Sequence, residues 1–282
     1  VSQKLGDNAW VHSAAMAGDI LLIAVSEAGW QQPNPGGIFK WNTSSDTWDS
    51  SGHIWEPTEP ILRVNANVIG NYMYVAYGTD SLKQFDLQGN LVNEWDSNTI
   101  LGPIRDIEEY NGMVLFASYD GIARYDPTNG TWLQTMNSGD GSDIDGDGMP
   151  DSLPSESEET ITALEIVNGD IWFSSYNPQW WNGGTNSRVF RYDSSTSGWD
   201  NWVDGSQGLP DGVAFSFREC SGILHIGMIE YGGNSGGVGR YKLSTDTWES
   251  QWNTQGGQGQ TSGLESNDVL GLACDDSGVV YI

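Results

Sequence analysis

Basic residues are scarce in this chain of 282 residues. Lysine and arginine together number 11 against 38 aspartates and glutamates, so the formal net charge is −27. Nucleic acids and anionic lipids attract proteins through clustered basic side chains, and this composition excludes both as expected partners. No apolar run reaches the roughly 18 residues of a membrane-spanning helix, so we expect no membrane insertion in this segment.

Cysteine and histidine are also rare. The two cysteines, Cys220 and Cys274, are too few for a structural zinc site, and the three histidines lack the H-E-x-x-H spacing of zinc hydrolases. The cysteines lie near equivalent turns of neighbouring sequence repeats. The sequence leaves open whether they form a disulfide or stay as two buried thiols. His225 lies in an apolar strand pattern and is expected to be a core or channel-lining residue.

Helical periodicity is absent as well, because no stretch places apolar residues at a 3.6-residue spacing. Instead, 37 glycines and 14 tryptophans are spread along the chain, which is typical of short strands joined by turns. One pattern recurs, in which a tight turn follows an aromatic residue and a tryptophan comes seven positions after it. The aromatic residues of the five copies are Trp41, Phe85, Tyr125, Tyr192 and Tyr241. Only the Phe85 copy departs from the spacing, with its tryptophan at Trp95.

A second pattern precedes the first in each repeat. A glycine separates two apolar runs in six copies, at Gly18, Gly70, Gly112, Gly169, Gly222 and Gly278. Two of these turns, at Gly112 and Gly169, are Asn-Gly, the strongest short signal for a hairpin. Each full repeat therefore holds four antiparallel strands, and four-stranded repeats of roughly 40 to 50 residues are typical of β-propeller blades. We predict an all-β fold in which residues 1–282 form a single β-propeller domain, from a ring of six to eight blades.

Five blades are complete in this prediction, and a sixth stops at Ile282 after its second strand. The approximate boundaries are 8–57, 58–98, 99–155, 156–205, 206–263 and, for the partial blade, 264–282. A closed propeller usually completes its last blade with strands from both chain ends, and residues 1–5 would supply one strand at most. We therefore expect that this chain is part of a longer one or that its ring closes in an unusual way.

The run from Tyr125 to Trp132, which follows the Asn111-Gly112 turn, resembles a kelch repeat. It departs from the kelch pattern after the second strand, where Ala117-Ser118 and Ser174-Ser175 replace the glycine doublet. The half-repeat from Asp275 to Ile282 is similar instead to the propeller repeats of bacterial two-component sensors. These resemblances imply the propeller architecture and leave the activity open, since propellers host unrelated functions.

One acidic loop has the spacing of a cation site. From Asp143 onward, carboxylates occupy positions 1, 3, 5 and 9 and a glycine occupies position 6, which matches the start of a calcium-binding loop. The predicted ligands are the carboxylates of Asp143, Asp145, Asp147 and Asp151 and the carbonyl oxygen of Met149. The loop resembles the calcium loops of thrombospondin type 3 and dockerin repeats, except that Pro154 replaces the acid at position 12. We predict a structural calcium site here, and a solvated acidic loop is the alternative.

Three long loops connect the second and third predicted strands of their blades, at residues 27–37, 177–187 and 230–237. They carry aromatic side chains among amides and glycines, namely Trp30, Trp180, Trp181 and Tyr231. In an up-and-down blade these loops emerge on one face, which we predict to bind a glycan, a peptide or a protein. The alternative is that each ring covers the loop edge of its own blade.

The sequence favours a binding module over an enzyme. We predict a non-catalytic binding or sensing propeller that works outside the cytoplasm, in an extracellular, cell-surface or periplasmic setting. The alternative is a propeller lyase or glycoside hydrolase that uses paired carboxylates near the central channel. Glu165, Asp106 and Glu108 lie on predicted first strands and are the candidates for that role.

Overall fold

The structure is a computed structural model. It describes residues 9–27, 37–55, 64–77, 81–96, 102–139, 141, 150–155, 157, 160–176, 187–203, 205–229, 236–253, 261–262, 264, 268–275 and 277–282. Within this part of the chain, no helix is long and apolar enough to cross a bilayer.

The first three sheets each contain four antiparallel strands in sequence order. Blade 1 consists of β1 (Ala9–Ala17), β2 (Ile20–Glu27), β3 (Gly37–Asn42) and β4 (Thr47–Trp55). Blade 2 consists of β5 (Val64–Ile69), β6 (Tyr72–Tyr77), β7 (Ser81–Asp86) and β8 (Leu91–Trp95). Blade 3 consists of β9 (Asp106–Tyr110), β10 (Met113–Ser118), β11 (Gly121–Asp126) and β12 (Thr131–Trp132).

Two further blades follow, and a two-stranded sheet comes last. Blade 4 consists of β13 (Thr160–Val167), β14 (Asp170–Tyr176), β15 (Arg188–Asp193) and β16 (Gly198–Val203). Blade 5 consists of β17 (Val213–Cys220), β18 (Ile223–Ile229), β19 (Gly237–Lys242) and β20 (Thr247–Trp248), with the short strands β21 (Trp252–Asn253) and β22 (Thr261–Ser262) beyond them. The last sheet pairs β23 (Ala273–Cys274) with β24 (Val280–Tyr281).

These sheets confirm the predicted fold class, an all-β propeller of four-stranded antiparallel blades. The chain forms two compact units, residues 1–109 with 114–118 and residues 110–113 with 119–282. Blades 1 and 2 belong to the first unit, blades 4 and 5 to the second, and blade 3 has strands in both. The fourth strands of blades 3 and 5 are short, since β12 and β20 have two residues each.

The predicted hairpins between first and second strands are present. Asn111 and Gly112 have φ angles of 51° and 80°, and Asn168 and Gly169 have 54° and 88°. Two consecutive left-handed residues are the mark of a type I′ turn, which matches the twist of the strands on either side. In blade 4 this turn pairs Val167 with Asp170, so the two strands are joined by two residues only.

The recurrent tryptophan lies directly opposite the aromatic residue of the preceding strand. Trp41 pairs with Trp48, Tyr125 with Trp132, Tyr192 with Trp199 and Tyr241 with Trp248. The ring centroids of these four pairs are 5.0–5.1 Å apart, the range of tilted and edge-to-face contacts. Blade 2 is the exception, because Phe85 pairs with Leu91 and Trp95 pairs with Leu82. The seven-residue spacing thus indicates two aromatic residues that pair across the strands of one hairpin.

In the second unit, one of these tryptophans also packs against the neighbouring blade. The ring of Trp248 in blade 5 packs edge-on against Trp202 of blade 4, with centroids 5.6 Å apart. Trp199 instead donates its indole N–H to the carbonyl of Gly141, in the segment before blade 4, at 3.0 Å. The primary partner of each ring remains its own hairpin.

The aspartate that follows the third-strand aromatic residue stabilises the turn between the third and fourth strands of blades 2 and 3. A carboxylate oxygen of Asp86 accepts hydrogen bonds from the amides of Gln88 and Asn90, and Asp126 accepts from the amides of Thr128 and Asn129. Bonds from the side chains of Asn90 and Asn129, followed by these amide bonds, hold the pKa values of the two aspartates below their usual range. In the last sheet, bonds from Ser277 and then from the Val279 amide lower the pKa of Asp275 to about 2.

Side chains of first strands bond to the backbone of the next blade. In the first unit, Ser13 Oγ accepts the amide of Ala66 at 2.8 Å, and Asn67 donates to the carbonyl of Ile107 at 2.6 Å. In the second unit, the buried Thr162 hydroxyl donates to the carbonyl of Ala214 at 2.6 Å. These bonds satisfy backbone groups that face the neighbouring sheet. They therefore set the spacing of adjacent blades within each unit.

Candidate functional site

Most of the ligand residues predicted from sequence lie outside the described residues. This holds for the four loop aromatics and for all but one of the calcium ligands, namely Trp30, Trp180, Trp181, Tyr231, Asp143, Asp145, Asp147 and Met149. Among the described residues, no three His, Cys, Asp or Glu side chains are grouped closely enough to hold a metal ion.

Asp151, the last predicted calcium ligand, is described and lies beside a cation. Its Oδ1 is 3.0 Å from an Nη of Arg124, and the two side chains are only 17% and 4% exposed. Arg124 also donates from Nε to the carbonyl of Gln134 at 2.9 Å. A buried guanidinium needs such partners, because leaving it unpaired costs several kcal/mol. The carboxylate thus attaches the end of the acidic loop to β11.

Glu165, one of the three candidate acids, and His225 are both found in structural contacts. Glu165 lies 3.6 Å from a guanidinium nitrogen of Arg218 on the first strand of the next blade. His225 is 3% exposed and packs against Trp252 with centroids 5.4 Å apart. Burial, and after it the charge of Arg240, lowers the pKa of His225, so its imidazole is neutral near pH 7. This agrees with the prediction of a core histidine.

The structure pairs the two cysteines, which the sequence left undecided. Cys220 at the end of β17 and Cys274 in β23 form a disulfide, with their Cα atoms 6.0 Å apart. The bond connects the first hairpin of blade 5 to the two-stranded sheet across 54 positions of sequence.

A cleft of about 410 Å³ lies within the second unit, along the outer strands of blades 4 and 5. Its walls come from three separate segments: β16, the connection from blade 4 to blade 5, and the hairpin of β19 and β20. The lining residues are Asp200, Trp202, Gln207, Tyr241, Asp246, Thr247 and Trp248. A cleft of this size can hold a small organic molecule.

The floor of the cleft is built from rings that contact one another. Trp202 stacks on the fully buried Trp172 at 5.4 Å, with their planes 5° apart. Tyr241 and Trp248 meet Trp202 at 5.3 and 5.6 Å in tilted and edge-to-face arrangements. Each of these four rings contacts at least two of the others and lies in a strand, so together they form a rigid floor.

The rim carries two carboxylates that share one guanidinium. Arg191 contacts Asp200 at 2.7 Å through one Nη and Asp246 at 2.5 Å through the other. The hydroxyl of Tyr241 also donates to Asp246 Oδ1. The bond from Tyr241, and next the bond from Arg191, hold the pKa of Asp246 below its usual range. Burial, followed by the same bond to Asp246, raises the pKa of Tyr241, so its hydroxyl stays protonated.

Sequence reasoning did not select this cleft. Tyr241 and Trp248 were recognised as a repeat pair, but Asp246 reads as an ordinary turn residue, and it has the left-handed φ of 55° that such a turn requires. Asp200 reads as an exposed strand residue. The repeat singles out Asp246 in one way, because Asp246 and Asp46 both lie two residues before the recurrent tryptophan. That signal predicts the turn and gives no indication of a cleft.

Comparison with known proteins identifies the fold and no family. No family model matches the sequence, and no curated protein matches it. Among solved structures, it is similar to an extracellular domain assigned to a hybrid two-component system of B. thetaiotaomicron, BT4673. The TM-score is 0.61 and the identity 16%, over 96% of this chain and 30% of that one. A second such domain from the same organism, BT3049, gives a TM-score of 0.56 at 10% identity, over 93% of this chain and 30% of that one.

A chain from the mitotic checkpoint complex gives a TM-score of 0.53 at 10% identity, over 84% of this chain and 62% of that one. This chain therefore spans between 30% and 62% of the length of these three chains. At these identities the likeness shows the fold alone.

Proposed function

We propose that this chain is a non-catalytic binding or sensing propeller that works outside the cytoplasm. The observation that carries the proposal is the cleft on blades 4 and 5, which combines an aromatic floor, exposed carboxylates and the amide of Gln207. A few polar groups above packed rings are typical of sites that recognise small molecules. The similar domains of BT4673 and BT3049 are described as extracellular domains of hybrid two-component systems, which supports a sensing role.

Two further observations support a location outside the cytoplasm. Disulfides persist in oxidising compartments and are rare in the cytosol, and the two cysteines of this chain are paired. The net charge of −27 keeps the protein soluble in salt, where screening removes most of its self-repulsion.

The aromatic loops are proposed as a second recognition surface, which would form one loop-rich face of the propeller. Replacing Trp180 and Trp181 together by alanine is expected to weaken binding of a glycan or peptide ligand about 30-fold or more, because truncating one tryptophan at the centre of an interface costs about 2 kcal/mol. The measurement is a glycan array and a peptide library, followed by titration calorimetry on the hits.

The W180F/W181F variant is the matched control, since it keeps aromatic rings at both positions. It should retain most of the affinity that the alanine variant loses. If every ligand found binds both variants as tightly as the natural protein, or if neither library yields a ligand, the loop face is not a recognition surface.

We also propose that the acidic loop binds calcium in a structural role. At a calcium concentration of 100 times the dissociation constant, binding should raise the free energy of unfolding by about 2.7 kcal/mol. For a domain of this size that corresponds to an increase in the melting temperature of roughly 5–10 °C over the chelated protein. Differential scanning calorimetry with calcium and with chelator measures it.

Two substitutions separate this site from general effects of salt. The D145N/D147N variant should lose the increase in melting temperature, because two of the predicted carboxylate ligands are gone. In the natural protein, magnesium at equal concentration should not produce the increase that calcium produces. Equal melting curves in calcium and in chelator, together with no heat of calcium binding by titration calorimetry, would leave the acidic loop as a solvated segment.

A further inference from the structure

The charges at the cleft do not balance. Arg191 supplies one positive charge to two carboxylates and is 12% exposed, whereas Asp200 and Asp246 are 48% and 62% exposed. The guanidinium therefore lies beneath the carboxylates and leaves one net negative charge at the surface. The chain as a whole carries a net charge of −27, which adds a long-range attraction for cations.

Each carboxylate also keeps one oxygen for a ligand. Asp246 uses Oδ1 for both Arg191 and Tyr241, and Asp200 uses Oδ2 for Arg191. Among the described residues, nothing donates a hydrogen bond to the other oxygen of either carboxylate. Charge-assisted bonds from an ammonium or guanidinium N–H to such oxygens are about twice as strong as neutral ones.

The rings favour a cation over a sugar. A sugar needs a broad exposed ring face on which to stack, but two of the three lining rings, Trp202 and Tyr241, contact one another and are only 9% and 1% exposed, which leaves the partly buried Trp248. A cation requires less exposed ring, because its attraction to aromatic rings is electrostatic and adds to that of the carboxylates. A divalent metal ion is disfavoured, since calcium prefers several carboxylate oxygens and the two carboxylates that line the cleft already contact Arg191.

We propose that this cleft binds a small organic cation through a protonated amine or guanidinium group, which would lie above Trp248 and between Asp200 and Asp246. The inference rests on the proposed function, because it names the ligand class of the site that carries that proposal. Gln207 at the cleft wall provides an amide for a polar substituent of the ligand.

The test compares three probes of one shape: benzylammonium, neutral benzyl alcohol and anionic benzoate, with glucose as a sugar. Binding is followed by titration calorimetry and by the indole N–H resonance of Trp248, assigned through its loss in W248F. We expect benzylammonium to bind at least tenfold more tightly than benzyl alcohol and to shift that resonance, and benzoate to have no effect. The D200N/D246N variant should lose at least tenfold in affinity for benzylammonium.

The matched control is D19N, which removes one negative charge at an exposed turn of blade 1 and should leave the affinity unchanged. A tenfold loss in D19N would show that benzylammonium binds through net charge alone and would overturn the proposal. If benzyl alcohol or glucose binds as tightly as benzylammonium and shifts the Trp248 resonance, the cleft is a binding site and the cationic ligand class is wrong. If none of the four probes shifts that resonance, both the ligand class and the cleft as the carrier of the proposed function are rejected.

Discussion

Reduction of the disulfide between Cys220 and Cys274 is expected to lower the free energy of unfolding by about 4 kcal/mol. The bond closes a loop of 54 positions, and the entropy that such a cross-link removes from the unfolded chain corresponds to about that amount at 25 °C. In a domain of this size the melting temperature should fall by roughly 10 °C. Thermal melts with and without a thiol reductant measure the effect.

The C220A/C274A variant shows whether the reductant acts on this bond. It should melt near the temperature of the reduced natural protein, and reductant should not change its melting curve. If the natural protein melts at the same temperature with and without reductant, and a thiol reagent counts two free thiols after denaturation without reductant, the cysteines are not bonded.

Replacement of Gly121 by alanine is expected to destabilise the protein by about 3 kcal/mol or more. Gly121 begins β11 with a φ of +112°, a backbone conformation in which a residue with a side chain is strained. A Cβ at this position would also lie 2.2 Å from the carbonyl oxygen of Met136, in the segment that pairs with Ile122 on the outer side of the blade. Since that contact is to backbone, it can be relieved only by moving the outer segment away. Chemical denaturation of G121A measures the loss.

Gly130 provides the control in the same blade. Its φ is +67°, within the left-handed region that other residues can occupy at modest cost, and a Cβ there would meet only the Tyr125 hydroxyl at 3.9 Å. G130A should therefore lose only about 1 kcal/mol. Similar losses in G121A and G130A would mean that the outer segment of blade 3 yields easily and that its pairing with β11 contributes little.

The blades could be predicted because their signals are local. The Asn111-Gly112 turn requires two left-handed residues, which few other pairs adopt without strain, so the dipeptide marks the hairpin wherever it lies. The spacing from Tyr125 to Trp132 places the two rings opposite each other across a tight turn. In both cases the residues that determine the structure are within a few positions of one another. Blade 2 departs from the seven-residue spacing because the turn after Phe85 has a different length, and Phe85 therefore faces Leu91.

The candidate site could not be predicted in the same way. The cleft joins Asp200, Gln207 and Asp246, which belong to different segments, and each of them also reads as an ordinary strand or turn residue. Asp151 shows the same limit, because its place in the acidic loop predicts a calcium ligand while its carboxylate lies against Arg124. Whether the Asp151 carboxylate binds calcium as well as Arg124 depends on the rest of the loop, and the calcium titration tests this.

Short-range sequence patterns were thus sufficient for the strands, the turns and the four-stranded repeat, because backbone sterics and cross-strand pairing act over a few residues. The pairing of Cys220 with Cys274, the sharing of Arg191 between two carboxylates and the cleft floor depended on tertiary structure. They require that residues tens of positions apart come within bonding distance, and only the packing of one blade against the next brings them together.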